Sequence, residues 1–449
     1  MASSSDAPRD YDAVVRDLFA RQPQRMVPDL DRITTLVELL GRPDQAFPAV
    51  QITGTNGKTT TAHMITALFG ALGLNAGTYT SPHLQDVRER IRVAGEPISR
   101  EEVIAGLEYL QPFLAEVDAR HPDTVTFFEV LTALSYVHFA DAPVDVGVYE
   151  VGLGGLWDAT NLVRGEVAVI NGVDLDHPEL GDGVGQVAVE KAGIIKDGAT
   201  VVSAPQPPEA EAVIERVTAE HGGRLVVAGR DFGVLDRTMA VGGQVLHLRG
   251  VTGDVEDVYL PLHGAHQAAN AALALAAVEG FLGFSGGIDP DVIRTGFAAV
   301  RSPGRLEVVR RGGASDEEEG LAPVILDGAH NPAGARALAL ALQEEFIHRH
   351  RVFVLGVLGD KDVEAMVEAL LPVADHVVVT EPPSGRAAPA DRLEKAVRLA
   401  GGGSVEVAPD VATALEAASG LATPEDAVVV TGSLYTVGAA REALGLEPA

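Results

Sequence analysis

The sequence predicts an α/β protein with a larger first part and a smaller second part. Short apolar runs alternate with longer amphipathic stretches, which is typical of a mostly parallel sheet covered by helices. The alternation stops at Ser302-Pro-Gly and then resumes over about 150 residues, the size of one domain. We therefore divide the chain into residues 1–299 and 300–449.

Apolar runs in both parts predict buried strands. They are Ala49–Thr53, Val144–Val151, Val167–Val173, Thr200–Ser203, Val324–Leu326, Arg351–Gly356, His376–Thr380 and Ala427–Thr431. Shorter alternating pieces between Arg230 and Leu262 predict an antiparallel appendage, and Gly264–Leu282 predicts a long alanine-rich helix. We interpret Ala299–Arg305 as a linker and the acidic stretch Arg310–Gly320 as a solvated loop.

Composition limits the classes of function. Of the 449 residues, 46% are hydrophobic, 22% are charged and none is cysteine, which excludes disulfides and thiolate chemistry. Neither a secretory signal nor an apolar run of about 18 residues is evident, so we expect a cytoplasmic protein without a membrane partner. The net charge of −30 argues against nucleic acid and anionic membranes. The acidity is interpreted as solubility, with a salt-adapted host as the alternative.

The segment Ile52-Thr-Gly-Thr-Asn-Gly-Lys-Thr-Thr60 follows an apolar strand and precedes the helical pattern Thr61–Leu72. Backbone N–H groups of Gly54–Thr59 would cradle phosphate at the helix N-terminus. Lys58 would neutralise phosphate charge, and the Thr59 hydroxyl would face magnesium. The spacing is shorter than in the usual P-loop, and the alternative is a glycine turn with an exposed lysine.

Three polar side chains follow strand-like runs: Ser81, Glu150 and His177. Parallel strands place their carboxyl ends at one crevice, so these groups are expected to converge there as magnesium ligands. The alternatives are a turn serine, a charge at a strand edge and a structural histidine. Lys191, in a short apolar helix, is either a site residue or a surface lysine.

Further candidates lie later in the chain. Asn270 opens the alanine-rich helix and would bind adenine or phosphate, and Asp327 after a strand would accept ribose hydroxyls. Arg305, at the junction of the two parts, would reach a γ-phosphate. Helix caps and turns are the alternative for Asp327. Trp157 either lines a pocket with its neighbours or belongs to the core.

This ordered set of motifs resembles the Mur ligase superfamily and, within it, the folylpolyglutamate synthase/dihydrofolate synthase family. The Gly-Thr-Asn-Gly-Lys-Thr motif is shared across the superfamily, whereas Ser-Pro-His-Leu and Glu-Lys-Ala-Gly-Ile are typical of the folate branch. The matching segments are Gly54–Thr60, Ser81–Leu84, Thr126–Glu129, Glu150–Gly155, Asp158–Asn161, Leu175–His177, Glu190–Ile194, His266–Asn270, Pro303–Glu307, Asp327–Pro332, Gly359–Asp362 and Gly432–Tyr435.

The resemblance implies a Mur-ligase-like P-loop domain that binds ATP and folate, followed by a smaller C-terminal Rossmann-like α/β domain. It implies that ATP phosphorylates a carboxylate of a folate or of dihydropteroate, and that L-glutamate then displaces phosphate to form an amide. Mg²⁺ is the implied metal, a monovalent cation is a further ligand to consider, and a monomer is expected.

The resemblance also assigns residues. ATP contacts fall on Asn56, Gly57, Lys58, Thr59, Asn270, Arg305 and Asp327, and Mg²⁺ ligands on Ser81, Glu150 and His177. Pteroate contacts fall on Thr126, Phe127, Phe128, Glu129, Trp157, Asp158 and Ala159. Lys191 is the family lysine that becomes carbamylated, and Lys58, Lys191 and Arg305 are the catalytic residues. The chain departs from the family pattern at Leu156-Trp157, where Arg-Leu is frequent, and in Val27–Ile33.

Two alternative functions remain open. A Mur-type ligase acting on a cell-wall precursor would use a UDP-linked muramyl substrate and no folate. A P-loop ATPase without ligase activity would turn over ATP independently of any carboxylate acceptor.

Overall fold

The computed structural model describes residues 10–22, 27–309 and 320–448. Within them, three sheets are formed. The strands of the largest sheet are β1 (Pro48–Thr53), β2 (Ala76–Tyr79), β3 (Ile91–Val93), β4 (Glu96–Pro97), β5 (Val146–Glu150), β6 (Arg164–Ile170), β7 (Thr200–Ser203) and β8 (Arg224–Val227). Their order is β4-β3-β2-β5-β1-β6-β7-β8. From β2 to β8 every neighbouring pair is parallel, so the mostly parallel sheet is confirmed.

The other two sheets follow in chain order. An antiparallel sheet contains β9 (Gly233–Ala240), β10 (Gly243–Arg249) and β11 (Asp254–Leu260), as the alternating pattern predicts. The third sheet contains β12 (Glu307–Val309), β13 (Val324–Leu326), β14 (Arg351–Leu355), β15 (His376–Val379), β16 (Val405–Val407) and β17 (Ala427–Thr431). Its order is β12-β13-β17-β14-β15-β16, parallel except for β12.

Helices cover the parallel sheets. In chain order they are α1 (Tyr11–Phe19), α2 (Asp31–Leu39), α3 (Lys58–Ala71), α4 (Arg100–Arg120), α5 (Phe127–Asp141), α6 (Val184–Ala192), α7 (Pro208–Glu220), α8 (Ala265–Phe281), α9 (Pro290–Ala298), α10 (Pro332–Glu345), α11 (Val363–Leu370), α12 (Ala390–Leu399), α13 (Val411–Leu421) and α14 (Leu434–Ala443). None of the described helices is long and apolar enough to span a membrane.

The largest sheet is buried on both faces, which explains its continuous apolar strands. Ile52 on β1 and Val169 on β6 pack with α3, α8 and α9 on one face. Tyr149 on β5 packs with α1, α2, α4 and α5 on the other face. Many small side chains of α8 are fully buried on the first of these faces, since alanine lets a helix approach its neighbours closely.

Some predicted boundaries differ from the structure. Helix α3 begins at Lys58 and not at Thr61, because the phosphate loop runs directly into the helix. Strand β6 ends at Ile170, three residues before the predicted Val173, although Val173 is buried. An apolar residue in a buried loop has the same local pattern as one in a strand. The predicted loop Arg310–Gly320 lies outside the described residues except for Gly320.

Glu345, at the end of α10, joins the second part to the first. Its carboxylate is 2% exposed and accepts hydrogen bonds from the backbone N–H of Gly264 at 2.9 and 3.1 Å and from Arg237 at 2.5 Å, and it lies 3.2 Å from His263 Nδ1. Burial acts to raise the pKa of Glu345, but these partners outweigh it, and the net pKa is lowered. A lowered pKa means that the ionised carboxylate stabilises the folded state.

We expect Glu345→Gln to lower the free energy of unfolding by about 2–4 kcal/mol, because Arg237 loses its buried counter-charge. The loss should shrink as the pH falls below about 4.3, where the unfolded carboxyl protonates. Urea unfolding at several pH values measures both effects. Glu344→Gln is the control, since Glu344 is exposed and its pair with Arg237 is worth less than about 1 kcal/mol. Equal losses in the two variants would contradict this account.

Candidate active site

A phosphate loop connects β1 to α3 at the centre of the largest sheet. Gly54 and Gly57 adopt φ values of 142° and 84°, which favour glycine. A Cβ at Gly57 would lie 2.6 Å from the Asn270 side-chain oxygen, so the loop has no room for a larger residue. Glycine at these two positions lets the backbone turn into the N-terminus of α3, where N–H groups can face an anion.

Lys58 folds back over this loop. Its Nζ donates to the carbonyl oxygens of Gly54 at 3.0 Å and Thr55 at 3.3 Å. Burial lowers the pKa of Lys58, and the nearby carboxylate of Glu150 acts in the opposite direction. Neutral carbonyls satisfy the ammonium only in part, so a phosphate at the loop would be a stronger partner.

Glu150, at the carboxyl end of β5, accepts hydrogen bonds from two other segments, the phosphate loop and the turn after β2. Its carboxylate is 2% exposed and accepts from the Thr59 hydroxyl at 2.9 Å and from the Ser81 backbone N–H at 3.1 Å. Burial raises the pKa of Glu150, opposed mainly by the charge of Lys58. The structure thus brings Thr59, Ser81 and Glu150 together, a set of hard oxygen donors beside the phosphate loop.

His177 lies at the edge of the same cleft. Its side chain is 38% exposed and is 3.4 Å from Asp176, which forms a buried ion pair of 2.9 Å with Lys361 of the second part. No hydrogen bond or ion pair joins His177 to Glu150 among the described residues. Nor do these residues contain a cluster of three or more His, Cys, Asp or Glu side chains suited to a metal.

Lys191, on α6, is a buried lysine. It is 4% exposed and forms no ion pair with any described residue, so the surface-lysine alternative is wrong. Burial and then the positive charge of Lys58 lower its pKa to about 7. A lowered pKa favours the neutral amine, which is the form of a lysine that can act as a nucleophile.

The nucleotide candidates lie on both sides of the cleft. Asn270 on α8 accepts a hydrogen bond from Asn171 at 3.2 Å, against the phosphate loop. Asp327 is buried, and its carboxylate accepts from the backbone N–H groups of Leu306 and Ala329 at 3.0 and 2.9 Å. Arg305 packs against Gly328, beside Asp327. The turn interpretation of Asp327 and a ligand role both fit this geometry, because a carboxylate has spare acceptor sites.

Thr126 and Glu129 form a capping box at the start of α5. The Thr126 N–H donates to the Glu129 carboxylate at 2.7 Å, and the Glu129 N–H donates to the Thr126 hydroxyl. Glu129 also pairs with buried Arg32 at 3.2 Å. Their polar groups are thus engaged locally. Phe127 and Phe128 follow, with Phe127 stacked on Phe19 at 4.9 Å between ring centroids.

The three other predicted pteroate contacts follow β5. Asp158 is buried, and its carboxylate accepts from the N–H groups of Gly152, Leu153 and Thr160 and from the Thr160 hydroxyl. Ala159 is buried and its carbonyl accepts from a tyrosine hydroxyl. Trp157 is 48% exposed, so its interpretation as a core residue is wrong.

The phosphate loop and the polar side chains at the strand ends surround a cleft of about 530 Å³ at the carboxyl ends of β1, β5 and β6. The strand order reverses here, with β1 between β5 and β6, which is where open α/β sheets bind ligands. The cleft is lined by predicted site residues from both parts of the chain: Asn56, Gly57, Lys58, Thr59, Ser81, Glu150, His177, Lys191, Asn270, Arg305 and Asp327. The predicted pteroate contacts do not line it.

Other cleft residues were missed as individual predictions. Asn171 follows β6 and donates to Asn270 and to the Thr61 hydroxyl. Lys361 is buried in its ion pair with Asp176, but its local sequence does not distinguish it from a surface lysine. For Asn171 the available signal was its position at the end of a buried strand, the same signal that identified Glu150.

Comparisons with known proteins agree with this geometry. The Mur ligase middle domain family matches residues 52–278, and the Mur ligase glutamate ligase domain family matches residues 304–434. The fold and site define a Mur-type ligase. Dihydrofolate synthase/folylpolyglutamate synthase of Mycobacterium tuberculosis is 44% identical, over 96% of this chain and 93% of that protein. Folylpolyglutamate synthase of Lacticaseibacillus casei is 35% identical, over 93% and 94%.

Solved structures agree as well. Mycobacterium tuberculosis folylpolyglutamate synthase complexed with ADP and AMPPCP superposes with a TM-score of 0.90 and 43% identity, covering 98% of this chain and all of that one. An FPGS–AMPPCP–folate complex has a TM-score of 0.81 and 32% identity, with 97% and 100% coverage. The chain belongs to the dihydrofolate synthase/folylpolyglutamate synthase family of ATP-dependent ligases. The resemblance noted in the sequence is confirmed.

We expect Asp158→Asn to lower the free energy of unfolding by about 2–5 kcal/mol, because an amide NH₂ would face N–H donors that the carboxylate now accepts. Urea unfolding measures this loss. Asp182→Asn, a change at an exposed carboxylate, should stay within about 0.5 kcal/mol. Unchanged stability of Asp158→Asn would contradict this account.

Proposed function

We propose that this protein adds L-glutamate to folates and to dihydropteroate through an acyl-phosphate. One observation carries the proposal: Glu150 joins the phosphate-loop Thr59 and Ser81 in a cleft that Arg305 faces from the second part. The names of the relatives add the substrate class, since proteins of 35–44% identity are folylpolyglutamate and dihydrofolate synthases.

In the first step, an acceptor carboxylate oxygen attacks the γ-phosphorus of ATP and ADP leaves. Phosphoryl transfer depends on positioning and on stabilisation of the negative charge. The phosphate loop and Lys58 would hold the phosphates, while Asn270 and Asp327 would hold the rest of the nucleotide. Arg305 would approach the transferring group from the opposite wall. In the second step, the glutamate amine attacks the acyl carbon, phosphate leaves and the nitrogen loses a proton.

The donor set fits magnesium. Mg²⁺ typically uses one or two carboxylates together with waters and phosphates, so Glu150 and the hydroxyls of Ser81 and Thr59 are sufficient beside a nucleotide. His177, as the third proposed ligand, would have to exchange its present neighbour Asp176 for the metal. Bound magnesium would offset phosphate charge. We further propose that the protein is a cytoplasmic monomer. The second part would contribute to the binding of L-glutamate.

The pteroate group is proposed to bind beside Phe127, Phe128 and Trp157. Phe128 contacts the glycine loop after β5, because a Cβ at Gly152 would lie 2.7 Å from its ring. Asp158 and Glu129 would act by fixing the backbone of this region, since their carboxylates already have partners.

The proposal is tested by product analysis with ATP, L-glutamate and either dihydropteroate or tetrahydrofolate. Lys58→Ala should reduce the ligation rate about 10²- to 10³-fold while the protein stays folded, because one charge-stabilising contact is lost. Circular dichroism checks the fold. The exposed Lys395→Ala is the control and should retain full activity.

Ligation of a UDP-linked muramyl substrate without folate turnover would contradict the proposal and favour the cell-wall alternative. ATP hydrolysis that is independent of any acceptor would favour a P-loop ATPase. Near-normal ligation by folded Lys58→Ala would remove the phosphate-contact assignment.

Lys191 is proposed to carry a carbamate. The neutral amine would attack CO₂, forming an N–C bond and releasing a proton, and its pKa of about 7 allows this near neutral pH. Lys191→Ala should impair ligation, with partial rescue by a short carboxylate in solution. Lys191→Arg should not substitute, because arginine stays positively charged. Intact-protein mass spectrometry under mild conditions, with Lys395→Ala as control, would detect the added carboxylate. An active Lys191→Arg variant would contradict the idea.

A further inference from the structure

Arg90 is a buried cation without a carboxylate partner. Its side chain lies in a segment that follows the Ser-Pro-His-Leu motif, and the residue is 7% exposed. Its Nε donates to His83 Nδ1 at 2.9 Å, and its guanidinium carbon lies 5.1 Å from the centre of the Phe127 ring. No Asp or Glu of the described residues forms an ion pair with it. Neither neighbour neutralises its charge.

The neighbouring arginines differ from Arg90. Arg88 pairs with Asp86 at 3.1 Å, and Arg32 pairs with Glu129 at 3.2 Å. Glu89, the nearest acid in sequence, uses both carboxylate oxygens for the backbone N–H groups of Leu84, Gln85 and Asp86. Arg90 therefore has no ion pair with a described carboxylate, while the acids around it are engaged elsewhere.

An unpaired buried guanidinium is energetically costly, and arginine cannot relieve the cost by losing its proton. Burial lowers the pKa of Arg90, opposed only partly by the adjacent Tyr79 hydroxyl and by Tyr435 and Glu150. Such a group is stabilised when an anion with two acceptor oxygens binds to its planar donors. A carboxylate is the ligand whose shape matches.

The position of Arg90 connects it to the reaction. Phe127, on which it lies, belongs to the proposed pteroate site, and Glu150 and Tyr435 line the cleft. Its segment also forms the seam between the two parts, because Gln85 accepts from Arg441 at 2.8 Å and Leu84 packs against Gly438. An anion bound to Arg90 would lie beside the proposed pteroate site and near the seam between the two parts.

We propose that Arg90 binds the α-carboxylate of a glutamyl group, a carboxylate that does not react. This inference rests on the proposed function. The carboxylate comes either from the incoming L-glutamate or from the terminal glutamyl residue of a folate acceptor. Two acceptors separate these sources, since dihydropteroate carries no glutamyl residue and tetrahydrofolate carries one.

The experiment compares Arg90→Met, Arg90→Lys and unaltered protein with both acceptors. If Arg90 binds incoming glutamate, the KM for glutamate in Arg90→Met rises about 10- to 100-fold with either acceptor. If it binds the acceptor, the KM rises for tetrahydrofolate alone and not for dihydropteroate. Arg90→Lys should show a smaller rise, because it keeps the charge but loses the planar pair of donors.

Thermal unfolding distinguishes binding from a structural role. Arg90→Met should have an unchanged or raised Tm, because an unpaired buried charge is replaced by an apolar side chain of similar length. Arg88→Met, which breaks the pair with Asp86, is the control and should leave every KM unchanged. A lowered Tm with normal KM values in Arg90→Met would overturn this inference and leave the proposed function standing. Absence of ligation by the unaltered protein would overturn the proposed function as well.

Discussion

The buried carboxylate of Glu150 is the contact on which the rest of the site depends. It accepts hydrogen bonds from Thr59 on the phosphate loop and from Ser81 after β2, so three separate segments share one acceptor. Burial raises its pKa, and only the nearby cation and these donors make the ionised form tolerable. A carboxylate under this constraint gains from any additional positive charge, which supports the proposed binding of a metal–nucleotide complex at this position.

The sheet topology makes this contact available. Placing β1 between β5 and β6 brings the phosphate loop beside the end of β5, and the alanine-rich α8 can approach closely enough for Asn270 to reach Gly57. Polar contacts join the second part to the first across the cleft, among them the ion pair of Asp176 with Lys361 and the interactions of Glu345. Polar contacts of this kind can exchange for ligand contacts, whereas an apolar interface would have to open against the hydrophobic effect.

Local patterns predicted the fold well where strands are apolar throughout. The limits of β7, β13 and β17 agree with the structure to the residue, because buried parallel strands are continuous apolar runs. Strand β2, Ala76–Tyr79, was missed because its glycine and small residues give no such run. Polar residues at strand ends were good indicators of the cleft, and eleven predicted site residues line it.

The sequence by itself determined the α/β class, the order of the elements and the motifs that place the chain in its ligase family. Tertiary structure decided how each polar group is used. Asp158 and Glu129 have their carboxylates occupied by local donors, His177 stays partly exposed, and Arg90 is buried without a counter-charge. Sequence spacing fixes partners within a few residues, but burial and charge pairing depend on segments that meet only when the chain has folded.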